Sequence, residues 1–438
     1  MRASRDLVRE WAALTALMVW ATAAAGQSAS QEAQAWWRTA QTIQSRYYNV
    51  RTDLPSGAAR MVAGHMDRMC DAYAQMLSGF RIHKQFRLEM WLFRSQRSYL
   101  AVLADQYDVD GTGSGGMCVT KGTRITLAAW MRGDDAPRML RTLQHEGFHQ
   151  FARAMFRSIP PWANEGLAQV FEHGVVVGDR VIVGEVPAEW LAVLRAASEA
   201  RKLKPFDAFM SMEDEQWGEH VVGGTATLNY LQAWALAHFF LYADNARYQP
   251  GFFEFLRQMN VGNSWEAAFQ QAFGTRDYAT LQGAFLQYLR QLQPTDLRTT
   301  LYRLEFLAEG ARTLADHDAY PETLEALEAE LRAIDFKHAV RHGGREVIIA
   351  ASDPESFRIP LADEGENGAK FRLLPWSSND EEQAENAGQK RKGARHRPEP
   401  RAAPKPRRII TAGLFPRTFG IDWDRDRRGR LSYRLVTD

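Results

Sequence analysis

The run His145-Glu146-Gly147-Phe148-His149 places two imidazoles four residues apart, with a carboxylate directly after the first. On a helix, residues i and i+4 lie one turn apart on the same face, so both rings can close on one cation from the same side. Zinc suits such a pair, because it accepts imidazole nitrogen and tolerates a tetrahedral shell with one open position. Glu146 would stand beside the cation. There a carboxylate can take a proton from activated water and pass it to a leaving group.

Two His ligands do not complete a catalytic site, which wants three protein ligands plus water. The segment Pro160-Pro161-Trp162-Ala163-Asn164-Glu165-Gly166-Leu167-Ala168 supplies a carboxylate on the first turn of a second helix. Glu172 and His173 compete with Glu165 for the third position. Glu165 is favoured, because the helix-breaking turn at the two prolines sets it opposite the first pair. Gly166 has no side chain, so the helices around the metal can pack closely. Asn164 is suited to orient a metal ligand from behind.

His-Glu-x-x-His followed by Trp-x-Asn-Glu-Gly-Leu-Ala resembles the peptidase-MA-like gluzincins, in particular a branch known only as a domain of unknown function. The resemblance spans roughly residues 86–292. It implies an order of strands, hairpin, active-site helix, glutamate helix and further helices. It also implies that the strand Arg124–Ala128 is the sheet edge along which a peptide pairs. The Thr225–Tyr242 helix carries Tyr230, Trp234 and His238 at four-residue spacing. By resemblance to the family's Tyr-x-Gln-x-Trp segment, Tyr230 is implied as the donor to the oxyanion, with His238 a weaker candidate. An aromatic stripe at this spacing also serves as ordinary core. The chain departs from better-studied branches in two places. The interval from His149 to Glu165 is shorter, and Gly115-Gly116-Met117-Cys118-Val119 stands where aminopeptidases carry Gly-x-Met-Glu-Asn. Endopeptidase action on a peptide or protein is therefore expected over exopeptidase action. The alternatives are a zincin-like metal-binding scaffold and a zinc hydrolase of a non-peptide amide or ester.

The elements that must position these residues are legible as periodicities. Residues 29–80 read as amphipathic helix with a turn near Asp53–Gly57. Phe86–Phe93 alternates with a period of two, as a half-buried strand does. Ser98–Tyr107 returns to helical spacing. After the Gly111–Gly116 turn, Met117–Thr120 and Arg124–Ala128 flank Lys121-Gly122-Thr123 as a hairpin. Leu140, Leu143, Phe148, Phe151 and Met155 give the His-bearing helix one buried face. It is capped by Asp134 or Asp135 and stopped at Ile159-Pro160-Pro161. The second helix should run from about Ala163 to Glu172. A small hairpin at Val175–Val183 follows, then helices near 187–200, 225–243, 250–258, 264–272 and 277–292. The expected fold is α+β, a gluzincin-like core at 81–295 with a small mixed sheet, an active-site helix and a helical lobe.

The remaining segments carry less chemistry. Residues 1–26 read as a signal peptide, from Arg2, Arg5 and Arg9 through the apolar run to Ala23-Ala24-Ala25-Gly26, which implies export. An uncleaved anchor is the alternative, and no later stretch is apolar enough to span a bilayer. Residues 27–80 form an N-terminal helical segment and 296–345 a helical pair broken at Tyr320-Pro321. A small β-rich module occupies 346–438, with strands at Glu346–Ala350, Phe357–Pro360, Phe371–Leu374, Ile421–Trp423 and Leu431–Leu435. A disordered linker at 377–408 interrupts it. Its basic run, from Lys390 to Arg408, reads as solvated linker rather than a nucleic-acid surface. The 438 residues carry 54 Lys and Arg against 53 Asp and Glu. A net charge of +1 gives no global bias toward nucleic acid or membrane. Cys70 and Cys118 could form one disulfide or stand as two buried thiols.

Overall fold

The computed structural model describes residues 23–80, 87–133, 135–177, 180–222, 226–321, 323–342, 345–359, 409–410, 419–425 and 431–437. Residues 1–22 of the expected signal, the strand at Phe371–Leu374, the linker at 377–408 and the turn at Arg427–Gly429 lie outside them. The fold is mixed α+β and divides into two compact units between Thr295 and Asp296, with Val177–Arg180 grouped with the second.

The first unit opens with helix α1 (Ala23–Thr39), strands β1 (Gln41–Gln44) and β2 (Tyr48–Thr52), and helix α2 (Ser56–Met76). Strand β3 (Leu88–Phe93), helix α3 (Gln96–Tyr107) and strands β4 (Gly116–Lys121) and β5 (Arg124–Trp130) follow. The five strands form one sheet in the order β1-β2-β3-β5-β4. β2, β3 and β5 run parallel, and β1 and β4 are antiparallel at the two edges. Parallel neighbours need a crossover, which α2 supplies between β2 and β3 and α3 between β3 and β5.

Two differences from the sequence reading stand out here. Residues 41–52 are strands rather than helix, short and polar enough (Gln-Thr-Ile-Gln, Tyr-Asn-Val-Arg-Thr) to leave little apolar period. The edge beside the His-bearing helix is β4, not Arg124–Ala128. β5 is interior because β3 pairs with it in parallel on one side and β4 covers the other.

β3 is buried on both faces. Leu88, Met90 and Leu92 join the main core with Tyr73, Leu143 and Phe148, whereas Trp91 and Phe93 pack with Trp36, Tyr99 and Val102. Burial on both faces explains why the run Leu-Glu-Met-Trp-Leu-Phe is almost continuously apolar. Two helices then carry the candidate site residues, α4 (Ala136–Met155) and α5 (Pro161–Glu172). Asp135 caps α4 by accepting the Arg138 N–H at 3.1 Å. Gln150 fixes the helix over the sheet, donating to the Glu89 carbonyl of β3 and the Ile125 carbonyl of β5 at 2.8 and 3.1 Å.

The short strands β6 (Val175–Val177) and β7 (Arg180–Ile182) pair after α5. Helices α6 (Ala188–Glu199), α7 (Phe206–Met210), α8 (Asp214–Val222) and α9 (Ala226–Ala246) come next, of which α7 and α8 had no clear sequence signal. The backbone leaves helical geometry at Ala243–Asn245, so α9 is straight only to Tyr242. Helices α10 (Gln249–Asn260), α11 (Trp265–Phe273) and α12 (Tyr278–Gln291) complete the unit.

In the second unit, α13 (Leu297–Ala315) and α14 (Leu324–Ala333) precede a hairpin of β8 (Lys337–His342) and β9 (Arg345–Ala350). Asp335, at φ 47°, turns the chain out of α14 two residues before β8, so 337–340 is strand where helical spacing suggested helix. Phe357 closes a 3-10 turn, Pro354–Phe357, rather than opening a strand, because Asp353 accepts the Glu355 N–H. β10 (Ile409–Ile410), β11 (Phe419–Arg425) and β12 (Leu431–Thr437) form an antiparallel sheet. Among the described residues no helix is long and apolar enough to cross a membrane.

Candidate metal centre

His145, Glu146 and His149 are buried on α4, at 5, 8 and 8% exposure. The helix turns the two imidazoles toward each other, with their Nε2 atoms 3.1 Å apart. Glu165 comes to the same point from α5: its Oε2 lies 3.4 Å from His145 Nε2 and 3.5 Å from His149 Nε2. The three residues form a group that could hold a metal ion. Glu165 Oε2 is buried and has no hydrogen-bond partner, and the two ring nitrogens beside it sit at ion-pair distance. An ionised oxygen left this way is costly unless a cation meets it.

The outer nitrogen of each ring is fixed from behind. Glu172 Oε2 faces His145 Nδ1 at 3.0 Å, and Asn164 Oδ1 faces His149 Nδ1 at 3.1 Å. With an acceptor at each Nδ1, each ring carries its proton there and turns the Nε2 lone pair inward. Of the three acceptors that competed in sequence, Glu165 thus faces the shared point and Glu172 stands behind His145. His173 is turned to the Trp190 ring, 4.4 Å between centroids.

The electrostatics agree with a site built for positive charge. Burial opposes a charged His145, but the carboxylates of Glu165 and Glu172 beside it outweigh this and hold the imidazole well above its usual pKa. Burial would also raise the Glu165 carboxyl, yet the His149 and His145 rings hold it far below the ordinary carboxylate range. Glu146 behaves oppositely. Burial raises its pKa, and the two imidazoles and the Cys118 amide offset this only in part.

Several positions hold this geometry. Pro160 and Pro161 start α5, and Trp162, fully buried, packs against Phe240, Phe252 and Phe255 at 5.8–6.0 Å. Gly166 lets α5 reach α9, since a Cβ there would lie 2.3 Å from the Ala233 carbonyl oxygen. Gln144 was not singled out from the sequence. Its amide donates to the carbonyls of Phe171, Glu172 and Gly174 at 2.7–3.1 Å and so ties the end of α5 to α4. A Gln directly before His-Glu-x-x-His carries no signal of that task.

Glu146 reaches the edge strand, where its Oε2 accepts the Cys118 N–H at 2.9 Å. Arg153, one turn beyond His149, donates to the Cys118 carbonyl and the Thr120 hydroxyl at 2.9 and 3.0 Å. Both main-chain groups of Cys118 therefore face away from β5, toward the cleft side of the edge. Cys118 and Cys70 are free thiols, and burial pushes each up to about 12, far from the range of a reactive thiolate. Tyr230 is 7% exposed, packed edge-on to Trp217, and burial followed by the Glu165 charge raises its phenol above the usual value. His238 is engaged at both nitrogens, with Tyr288 Oη at 2.7 Å and the Gly184 carbonyl at 3.1 Å. Burial lowers its pKa to about 4, consistent with a neutral core histidine.

Residues 139–260, from α4 to the end of α10, match a family model described as a protein of unknown function (DUF1570). The match contains the whole His145, His149 and Glu165 cluster. No curated protein matches the chain.

Proposed function

We propose that the chain is an exported zinc-dependent metallo-endopeptidase, with His145, His149 and Glu165 as metal ligands and Glu146 as general base. Spacing carries the reading. Zinc bonds His nitrogen at about 2.0–2.1 Å and carboxylate oxygen at about 2.0–2.2 Å, so tetrahedral ligand atoms stand about 3.3–3.5 Å apart. The three donor atoms are 3.1, 3.4 and 3.5 Å apart. Two nitrogens and one carboxylate oxygen leave the fourth corner open, the pattern of a catalytic rather than a structural site.

When bound there, zinc supplies a Lewis acid that polarises a carbonyl and lowers the pKa of water. Glu146, buried beside the ligands with its pKa raised, takes the proton from the attacking water and delivers it to the departing amine. Glu172 and Asn164 hold the two imidazoles in one tautomer throughout. Tyr230, whose phenol lies within reach of the charge on Glu165, is the donor proposed for the oxyanion. A peptide strand would lie along β4, the sheet edge beside Glu146, and export rests on the composition of residues 1–26.

The experiment is Glu146→Gln. The variant should keep its zinc and lose hydrolysis of unfolded casein by about a hundredfold or more. A variant with zinc and a full hydrolytic rate contradicts the assignment.

A further inference from the structure

A cavity of about 210 Å³ lies beside the start of β4, walled by Gly115, Trp130, Arg132, Asp135, Arg138 and Thr142. At about 30 Å³ for each water in liquid, it has room for a small polar group and its solvent. Its position is set by the site. Gly115 is packed on Thr142, where a Cβ would meet the hydroxyl at 3.3 Å, and Thr142 precedes Glu146 by one turn of α4. Three residues further along, in β4, the Cys118 amide binds Glu146. A chain lying on β4 at the general base therefore passes the mouth of this cavity.

The lining points to one chemistry. Arg132 and Arg138 both reach the cavity, and among the described residues neither guanidinium has an ion pair or hydrogen bond. Asp135 Oδ1 is engaged by the helix, accepting the Arg138 main-chain N–H at 3.1 Å. Thr142, only 7% exposed, lines the cavity beside them. A hydroxyl and two guanidinium groups thus converge on one cavity, and a carboxylate is the acceptor that fits a guanidinium fork. The Trp130 indole N–H donates to the Ser114 carbonyl at 2.9 Å and holds the wall. Asp134 lies outside the described residues.

We propose that this cavity is a subsite for a carboxylate of the peptide substrate, held by Arg132, Arg138 and the Thr142 hydroxyl. The proposal rests on the metallopeptidase reading for its substrate, but the cavity contains none of the metal ligands, so the two can fail separately. The carboxylate could come from an acidic side chain or from a chain terminus, and three probes distinguish these. N-acetylglutamic acid α-amide carries only the side-chain carboxylate, N-acetylglutamine only the terminal one, and N-acetylglutamine amide neither.

Binding is measured by ligand-observed NMR on the full chain, zinc-loaded and after chelator treatment. One of the charged probes should bind about tenfold or more tightly than the neutral one, with and without zinc. The preference should vanish in Arg132→Ala/Arg138→Ala and weaken in Thr142→Val, a change too small to threaten folding. Equal binding of all three probes overturns the proposal, as does a preference that survives in the double arginine variant. A preference present only with zinc puts the carboxylate on the metal and overturns it too. Binding in a chain that never takes up zinc keeps the subsite and removes the metallopeptidase reading instead.

Discussion

Glu172 shows how little separates a proposed ligand from a proposed ligand's support. In the sequence it competed with Glu165, since both are carboxylates on one helix near two histidines. Seven residues amount to nearly two turns, so both carboxylates share one face of α5, and the rise of about 10 Å between them, with the fixed start of α5 at Pro161, decides which one reaches the histidine lone pairs. Glu165 reaches both Nε2 atoms, whereas Glu172 meets His145 Nδ1. Removing such a support costs about 10–100-fold in metal affinity. Glu172→Ala should therefore still bind metal at saturation, but with an affinity lower by that factor in competition with a chelating dye. Unchanged affinity would show that His145 needs no partner at Nδ1. The His-Glu-x-x-His spacing itself was fully legible, because helical period alone brings its rings together. Gln144 and Arg153 were not, because each acts on main-chain groups that only the packed fold brings near.

At the scale of elements, the crossing of α5 and α9 holds Glu165 against α4. Gly166 meets Ala233 and Ala237 so closely that a Cβ would fall 2.3 Å from a main-chain oxygen, an atom that cannot swing aside. Gly166→Ala should destabilise the chain by about 1–3 kcal/mol and move Glu165, which sits next to it. Thermal unfolding and metal titration check both effects, and a variant of wild-type stability would mean the helices separate without cost. The hairpin of β4 and β5 was legible from Lys121-Gly122-Thr123, but which strand lay outside was not. Local sequence defines a pair of strands, while the edge is decided by β3 joining β5 from far upstream. The strands at 41–52 escaped because they are short and polar, and because β2 meets β3 only across the α2 crossover.

For the whole molecule, the α+β class and most of the helices of the first unit followed from periodicity, and the structure adds the layering. One set of β3 side chains faces α2 and α4, the other faces α1 and α3, so the sheet is a rigid middle layer on which α4 is anchored through Gln150. The matched family region begins inside α4 and stops at α10, leaving the sheet and the second unit outside it. What the second unit contributes has no signal in its residues, in contrast to the cluster on α4 and α5. That cluster is where the proposal stands or falls, and elemental analysis of the purified chain beside His149→Ala tests it most directly. About one zinc per wild-type chain, lost in the variant, is the expected result. No zinc in either, even after zinc is supplied, would contradict the metal centre and leave α4 a structural helix.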